Sequence, residues 1–140
     1  MDRLLADNEN VTSLFLRPYR VSEGEPEWFY VELRLQHRGN FLLRTSVMLT
    51  ADDLSTLTEA TRSCSSEPRK ELRFTSTDED FALEIGPAPT PGDGVLTFMV
   101  GELYDLRRGF QFVVTSESLS DFGPSLESEI RVLQVSSNSA

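Results

Sequence analysis

Phe29-Tyr30-Val31-Glu32-Leu33-Arg34-Leu35-Gln36, followed beyond Gly39-Asn40 by Phe41 to Leu49, is the stretch that decides how this chain folds. Phe29, Val31, Leu33 and Leu35 alternate with Tyr30, Glu32, Arg34 and Gln36. A period of two places the apolar set on one face of a strand and the polar set on the other. Gly39-Asn40 tolerates positive φ, and Phe41, Leu43, Thr45, Val47 and Leu49 carry the alternation back. The two runs predict an antiparallel hairpin with one buried face.

The reading extends outward on both sides. Downstream, Thr50 precedes Asp53 by three residues, a capping-box spacing, so a helix opens there. Asp52 and Asp53 suit the positive end of its dipole. Leu54, Leu57 and Thr61 form its apolar stripe, with Arg62 near its far end. Upstream, Thr12 to Tyr19 reads as a strand with Leu14 and Leu16 opposite Phe15 and Arg17, and Pro18 puts its end at an edge.

Beyond the helix, alternation predicts strands at Leu72–Thr75, Phe81–Ile85 and Phe110–Val114, and Val95–Val100 is apolar on both faces except at Thr97. Thr77 to Asp80 is a turn, and residues 87–94 form a stiff loop dense in Pro and Gly. Leu119, Phe122, Leu126, Ile130 and Leu133 recur at steps of three and four, the mark of a second helix. Gly123-Pro124 interrupts it. Either Leu119 belongs to a preceding turn, or the helix starts near Asp121 with Pro124 in its first turn.

These elements make a single α+β domain over residues 11–135, with loose termini at 1–10 and 136–140. An antiparallel sheet of about seven strands, curved or folded into two layers, packs with two helices. The expected core is Phe29, Val31, Leu33, Leu35, Phe41, Leu43, Val47, Leu54, Leu57, Leu72, Phe74, Phe81, Leu83, Ile85, Phe98, Phe110, Phe112, Phe122, Leu126 and Ile130. No internal sequence repeat is visible. A chain of 140 residues buries enough surface to fold without disulfides or metal.

Formal net charge is −10, and it is unevenly spread. Residues 1–50 hold seven acids and six Arg, a balance of −1; residues 51–140 hold sixteen acids and seven bases, a balance of −9. Nucleic-acid phosphates call for a basic stripe, so nucleic acid is not expected as a partner. Solubility explains much of an acidic excess, and a sharper reading is an acidic face that steers a cationic partner. The lone Cys64 allows no internal disulfide and points to a reducing, cytoplasmic setting. Residues 1–7 carry no apolar run of signal-peptide length, and no stretch is apolar enough to cross a membrane.

Little here marks chemistry. His37 reads as an exposed turn residue with no local group to fix its tautomer. Cys64 follows a helix C-terminus, where the dipole disfavours a thiolate. Asp78, Glu79 and Asp80 lack the spacing of a calcium loop and read as a solvated turn. No phosphate loop, nucleophile elbow or zinc-helix pattern is present, so no catalytic residue, metal site or cofactor is assigned. Trp28 and Tyr30 lie opposite the hairpin's apolar face, either covered by packing or exposed as an interface pair.

The order of elements resembles a known family. The Gly39-Asn40-Phe41-Leu42-Leu43 return, the Leu54-Ser55-Thr56-Leu57 helix, the Glu71-Leu72-Arg73-Phe74 and Phe81-Ala82-Leu83-Glu84-Ile85 strands, and the Leu119-Ser120-Asp121-Phe122 helix carry the likeness. Over about residues 27–134 this is similar to the small bacterial WapI-type immunity proteins and their uncharacterised relatives. The polar run before the last helix, Thr115-Ser116-Glu117-Ser118, departs from the family pattern. The resemblance implies a non-catalytic module that neutralises a cognate toxin domain by binding it.

The expected function is therefore protein binding without catalysis. The expected partner is a basic protein domain, met through the acid-rich region from Asp78 to Asp105. Candidate contact residues are Trp28, Tyr30, Asp78, Glu79, Asp80, Asp93, Glu102 and Asp105. The alternative is a small-molecule-binding protein or enzyme whose carboxylates, such as Glu84 or Glu102, line a pocket of the curved sheet. A concave pocket of roughly 300 Å³ or more would favour that alternative. The sequence leaves oligomeric state open.

Overall fold

In a computed structural model, residues 4–6, 12–22, 27–66, 71–89, 93–101 and 108–138 are described. The chain runs β1 (Leu4–Ala6), β2 (Thr12–Val21), β3 (Trp28–His37), β4 (Asn40–Thr50), α1 (Ala51–Ser66), β5 (Leu72–Thr75), β6 (Phe81–Pro87), β7 (Gly94–Val100), β8 (Arg108–Val114) and α2 (Ser116–Asn138). Two antiparallel four-stranded sheets result, ordered β1-β2-β3-β4 and β5-β6-β7-β8. Each is open, and every strand pairs with its neighbour in the chain. The α+β class and the antiparallel pairing are as expected, but the strands fall into two separate sheets and not one, because β4 and β5 do not pair.

The architecture repeats although the sequence does not: four strands and a helix, twice over. Leu4–Ala6, expected to belong to a loose lead-in, forms a short strand paired with Ser13–Phe15 of β2. That pairing resolves the Pro18 expectation. β2 is an inner strand, yet β1 reaches only its first half, so the missing N–H of Pro18 interrupts no ladder on that side. At the other end, the α2 backbone stays helical to Asn138, into the tail expected to be loose.

One contiguous core joins both sheets and both helices. It includes Leu14 and Leu16 of β2, Leu33 of β3, Leu54 and Leu57 of α1, Leu83 of β6, Phe98 of β7 and Leu126 of α2. Four expected core residues depart from this pattern. Phe110, Phe112 and Ile130 are half-buried and pack against its rim. Phe41 is 52% exposed. A bulge between Leu35 and Gln36 is the reason: Leu43 pairs with Leu35 on the core face, whereas Phe41 pairs with Gln36 on the opposite one.

The helix termini show local rules at work. Thr50 N–H donates to Asp53 Oδ2 and Asp53 N–H donates to Thr50 Oγ1, both at 3.0 Å, so the capping box is formed. α2 differs from both expected starts. It runs unbroken from Ser116, with Asp93 Oδ1 accepting from Ser116 N–H at 2.9 Å, and Pro124 lies inside it. Pro124 has no N–H for the Ser120 carbonyl, and its ring sits on the exposed side, where water can take that acceptor. Gly123 beside it faces inward: a Cβ there would lie 3.2 Å from the Thr58 carbonyl oxygen of α1. The helices thus cross at a position where a larger residue would press on the neighbouring backbone. Arg62 of α1 and Glu127 of α2 span the same contact at 3.1 Å.

His37 is half-buried, which corrects the expectation of an exposed turn histidine. Thr12, its cross-strand neighbour, places Oγ1 at 2.7 Å from Nδ1.

Candidate functional site

The face of the first sheet that turns away from the core carries an unusual set of side chains. β2 contributes Phe15, Arg17 and Arg20; β3 contributes Trp28, Tyr30, Glu32, Arg34 and Gln36; β4 contributes Phe41, Arg44, Ser46 and Met48. Period-two alternation sorts them there, because Leu14, Leu16, Val31, Leu33, Leu35, Leu43 and Val47 take the core side. A register shift between Pro18 and Arg20 makes Tyr19 the extra residue of a bulge and turns it onto this same face.

Two clusters organise the face. In the first, Tyr19 and Tyr30 stand with ring centroids 6.3 Å apart, tilted at 44°. The Arg20 guanidinium sits 5.3 Å from the Tyr30 centroid, within cation–π range. The Tyr19 hydroxyl meets Ser46 Oγ at 2.9 Å, which ties the bulge to β4. Trp28, half-buried, begins β3 beside them; its carbonyl accepts from Ser22 N–H at 2.8 Å, and its N–H donates to the Ser22 hydroxyl oxygen at 3.2 Å.

The second cluster centres on Glu32. Arg34 approaches it at 3.1 Å, Arg44 at 3.4 Å and Arg17 at 3.8 Å. The Glu32 side chain is only 15% exposed whereas that of Arg44 is 65% exposed, so the acid lies beneath its arginines. Arg34 Nε has no hydrogen-bond partner at its angle of approach, and its contact with Glu32 is ionic only. The Arg34 guanidinium also stacks 3.9 Å from the centroid of the buried Phe15 ring. Among the described residues, four arginines against one glutamate leave this face at +3 in a chain of −10.

The acidic candidates are arranged differently. Asp78, Glu79 and Asp80 do form a turn, between β5 and β6, with Glu79 at φ 58°. Asp80 accepts from the Ser76 hydroxyl at 2.9 Å, and its carbonyl accepts from Gly101 N–H at 3.0 Å. Asp93 is occupied at the start of α2. Glu102 and Asp105 lie outside the described residues, as does the Cys64 side chain. Trp28 and Tyr30 share a sheet face with one another but not with a gathered set of carboxylates. Among the described residues, no group of three or more His, Cys, Asp or Glu is placed to hold a metal ion.

A groove of about 480 Å³ runs between α1 and the edge strand β5, lined by Ser55, Thr56, Glu59, Ala60, Ser63, Glu71, Leu72 and Arg73. It exceeds the size named for a small-molecule site. Ser55, Thr56, Glu59, Glu71 and Arg73 are exposed, however, and Glu84 is not part of the lining.

No family model matches the chain, and no curated protein matches it in sequence. Solved structures do. The plant transcriptional regulator PBF-2 matches with a TM-score of 0.57 at 10% identity, over 99% of this chain and 85% of that one. The MRP1/MRP2 structures from a trypanosome match with a TM-score of 0.48 at 13% identity, over 94% of this chain and 83% of theirs. The likeness is one of fold.

Tyr19, Arg17, Arg20, Arg34 and Arg44 were not among the residues expected at a site. One signal pointed to them: six of the chain's Arg residues fall in the first fifty positions.

Proposed function

We propose that this chain is a non-catalytic protein-binding module, of the immunity type implied by its WapI-like features, and that it docks its partner on the outer face of the first sheet. The observation that carries this reading is the Tyr19–Tyr30–Arg20 cluster beside the Glu32 arginines on that open face. Tyr, Trp and Arg are the residue types enriched at the energetic centres of interfaces. An open four-stranded sheet offers them on a surface that is extended in two directions. Asp80 and Asp93 are meanwhile engaged within the chain. Of the two regions with a charge of their own, the arginine face is therefore the better candidate, in place of the acidic segment.

The test is to express toxin domains of the kind that WapI-type immunity proteins neutralise in cells that carry or lack this chain. Rescue of growth together with a stable complex that is lost in Tyr30→Ala is the expected result. A protein that forms no complex, or that turns over a small molecule, would overturn the reading. The small-molecule alternative has the α1–β5 groove in its favour. Saturable ligand binding that is abolished by Thr56→Trp in the groove and untouched by Tyr30→Ala would favour it.

A further inference from the structure

We infer that the arginine face is built to receive a carboxylate-rich segment of a protein partner; this rests on the binding-module reading above. The argument begins with donors and acceptors. The guanidinium groups of Arg17, Arg34 and Arg44 each carry five N–H donors, and a single carboxylate offers about four acceptor sites. Glu32 therefore holds all three in place yet leaves most of their donors unsaturated. It acts as an internal template. Arginines positioned before binding lose less rotamer freedom when a partner arrives. Their planar forks match carboxylates two bonds at a time.

The aromatic neighbours extend the same surface. Tyr19 is 44% exposed and stands next to Tyr30 and Arg20, so an acidic segment would meet a ring contact at one end of the arginine cluster. Phe41, 52% exposed, lies towards the other end of β3, opposite Gln36.

Charge decides between a protein and a nucleic-acid strand. With +3 on this face and −10 on the whole chain, the remainder carries −13. A polynucleotide extends its phosphates well beyond one sheet face and would meet that remainder, within a Debye length of about 8 Å at physiological salt. A short acidic segment stays inside the positive patch. Complementarity that is local in this way favours the protein partner.

Two probes, both short enough to stay on one sheet face, test this against the isotope-labelled chain: a short poly(Glu,Tyr) peptide and a short oligo-dT of matched charge. Poly(Glu,Tyr) is expected to shift the amide signals of Arg17, Tyr30, Arg34 and Arg44. Its affinity should fall about tenfold in Arg20→Gln/Arg44→Gln. Both positions are exposed, so the variant should melt with the parent. No shift on this face with poly(Glu,Tyr), or a shift confined to Asp78–Asp80, would overturn the inference. So would tighter binding of oligo-dT on the same residues, which would assign the face to nucleic acid. If a toxin domain that the chain neutralises docks on this face while poly(Glu,Tyr) does not, the acidic chemistry fails and the binding module stands. If neither binds there, both fail.

Discussion

The Asp53 carboxylate is shared between its own helix and Thr77, twenty-four residues away. Its oxygens accept from Thr77 N–H at 3.1 and 3.2 Å and from the Thr77 hydroxyl at 2.9 Å, in addition to the Thr50 N–H. One side chain thus closes the first turn of α1 and anchors the β5–β6 turn to it, so each half of the chain is fixed to the other at this point. Asp53 is 7% exposed, so its bond to Thr50 is buried, while those to the exposed Thr77 are partly so.

Asp53→Ala should therefore destabilise by about 2–3 kcal/mol, more than a helix cap alone, because a buried donor at the start of α1 and partly buried donors of the β5–β6 turn lose their acceptor together. Thr77→Val should cost about 1 kcal/mol. Urea unfolding of the two single variants and the double variant measures their coupling. Strict additivity would show that the two turns are held independently.

Gly123→Ala should loosen the helix crossing, because the new methyl would press on the Thr58 carbonyl at 3.2 Å. Gly94→Ala meets Ile85 Cγ2 at 2.5 Å, deeper in the core, and should be worse. About 1–3 kcal/mol is expected for Gly94→Ala from overpacking, and less for Gly123→Ala, because the helix propensity gained offsets part of the strain. A thermal melt in which either variant matches the parent would mean the backbone yields without cost.

Leu33→Ala and Phe41→Ala separate the two faces of the hairpin. Leu33 is fully buried, so its truncation should cost about 2–5 kcal/mol. Phe41→Ala should stay within about 0.5 kcal/mol, as expected for a surface site. Equal losses would mean that the bulge after Leu35 does not turn Phe41 outward.

Glu32→Gln should destabilise by about 1 kcal/mol, because the charge that holds Arg17, Arg34 and Arg44 together is gone while their mutual repulsion remains. Added salt screens that repulsion, so the deficit should shrink as ionic strength rises. A deficit indifferent to salt would point to lost packing instead.

The elements of the fold were legible wherever a local rule acts alone. Thr50 and Asp53 announce a helix start from their spacing, and Phe29 to Leu35 announce a buried strand face. What stayed hidden depends on register and on neighbours distant in sequence. The bulge after Leu35 moves Phe41 across the sheet, and no feature of Phe41 itself signals the move. Leu4–Ala6 is too short to show alternation. The site was less legible still. Trp28 and Tyr30 were visible on one strand, but the arginine face needs β2, β3 and β4 side by side and a bulge that turns Tyr19 over. Arg34 over Phe15 is a pairing across two strands that linear spacing does not encode.

Because each strand bonds to the one just before or after it in the chain, both sheets assemble from short loops. Closing such loops costs little entropy and tends to make folding fast. The two sheets do not pair with one another, and α2 joins the halves by packing against α1 and against β1 and β2 of the first sheet. Gly123 against the Thr58 carbonyl then sits at the seam where the two halves meet. A truncated or stalled chain that ends before α2 would present that seam, with Leu54 and Leu57 lacking their partners Phe122 and Leu126, as a sticky surface for chaperones or aggregation.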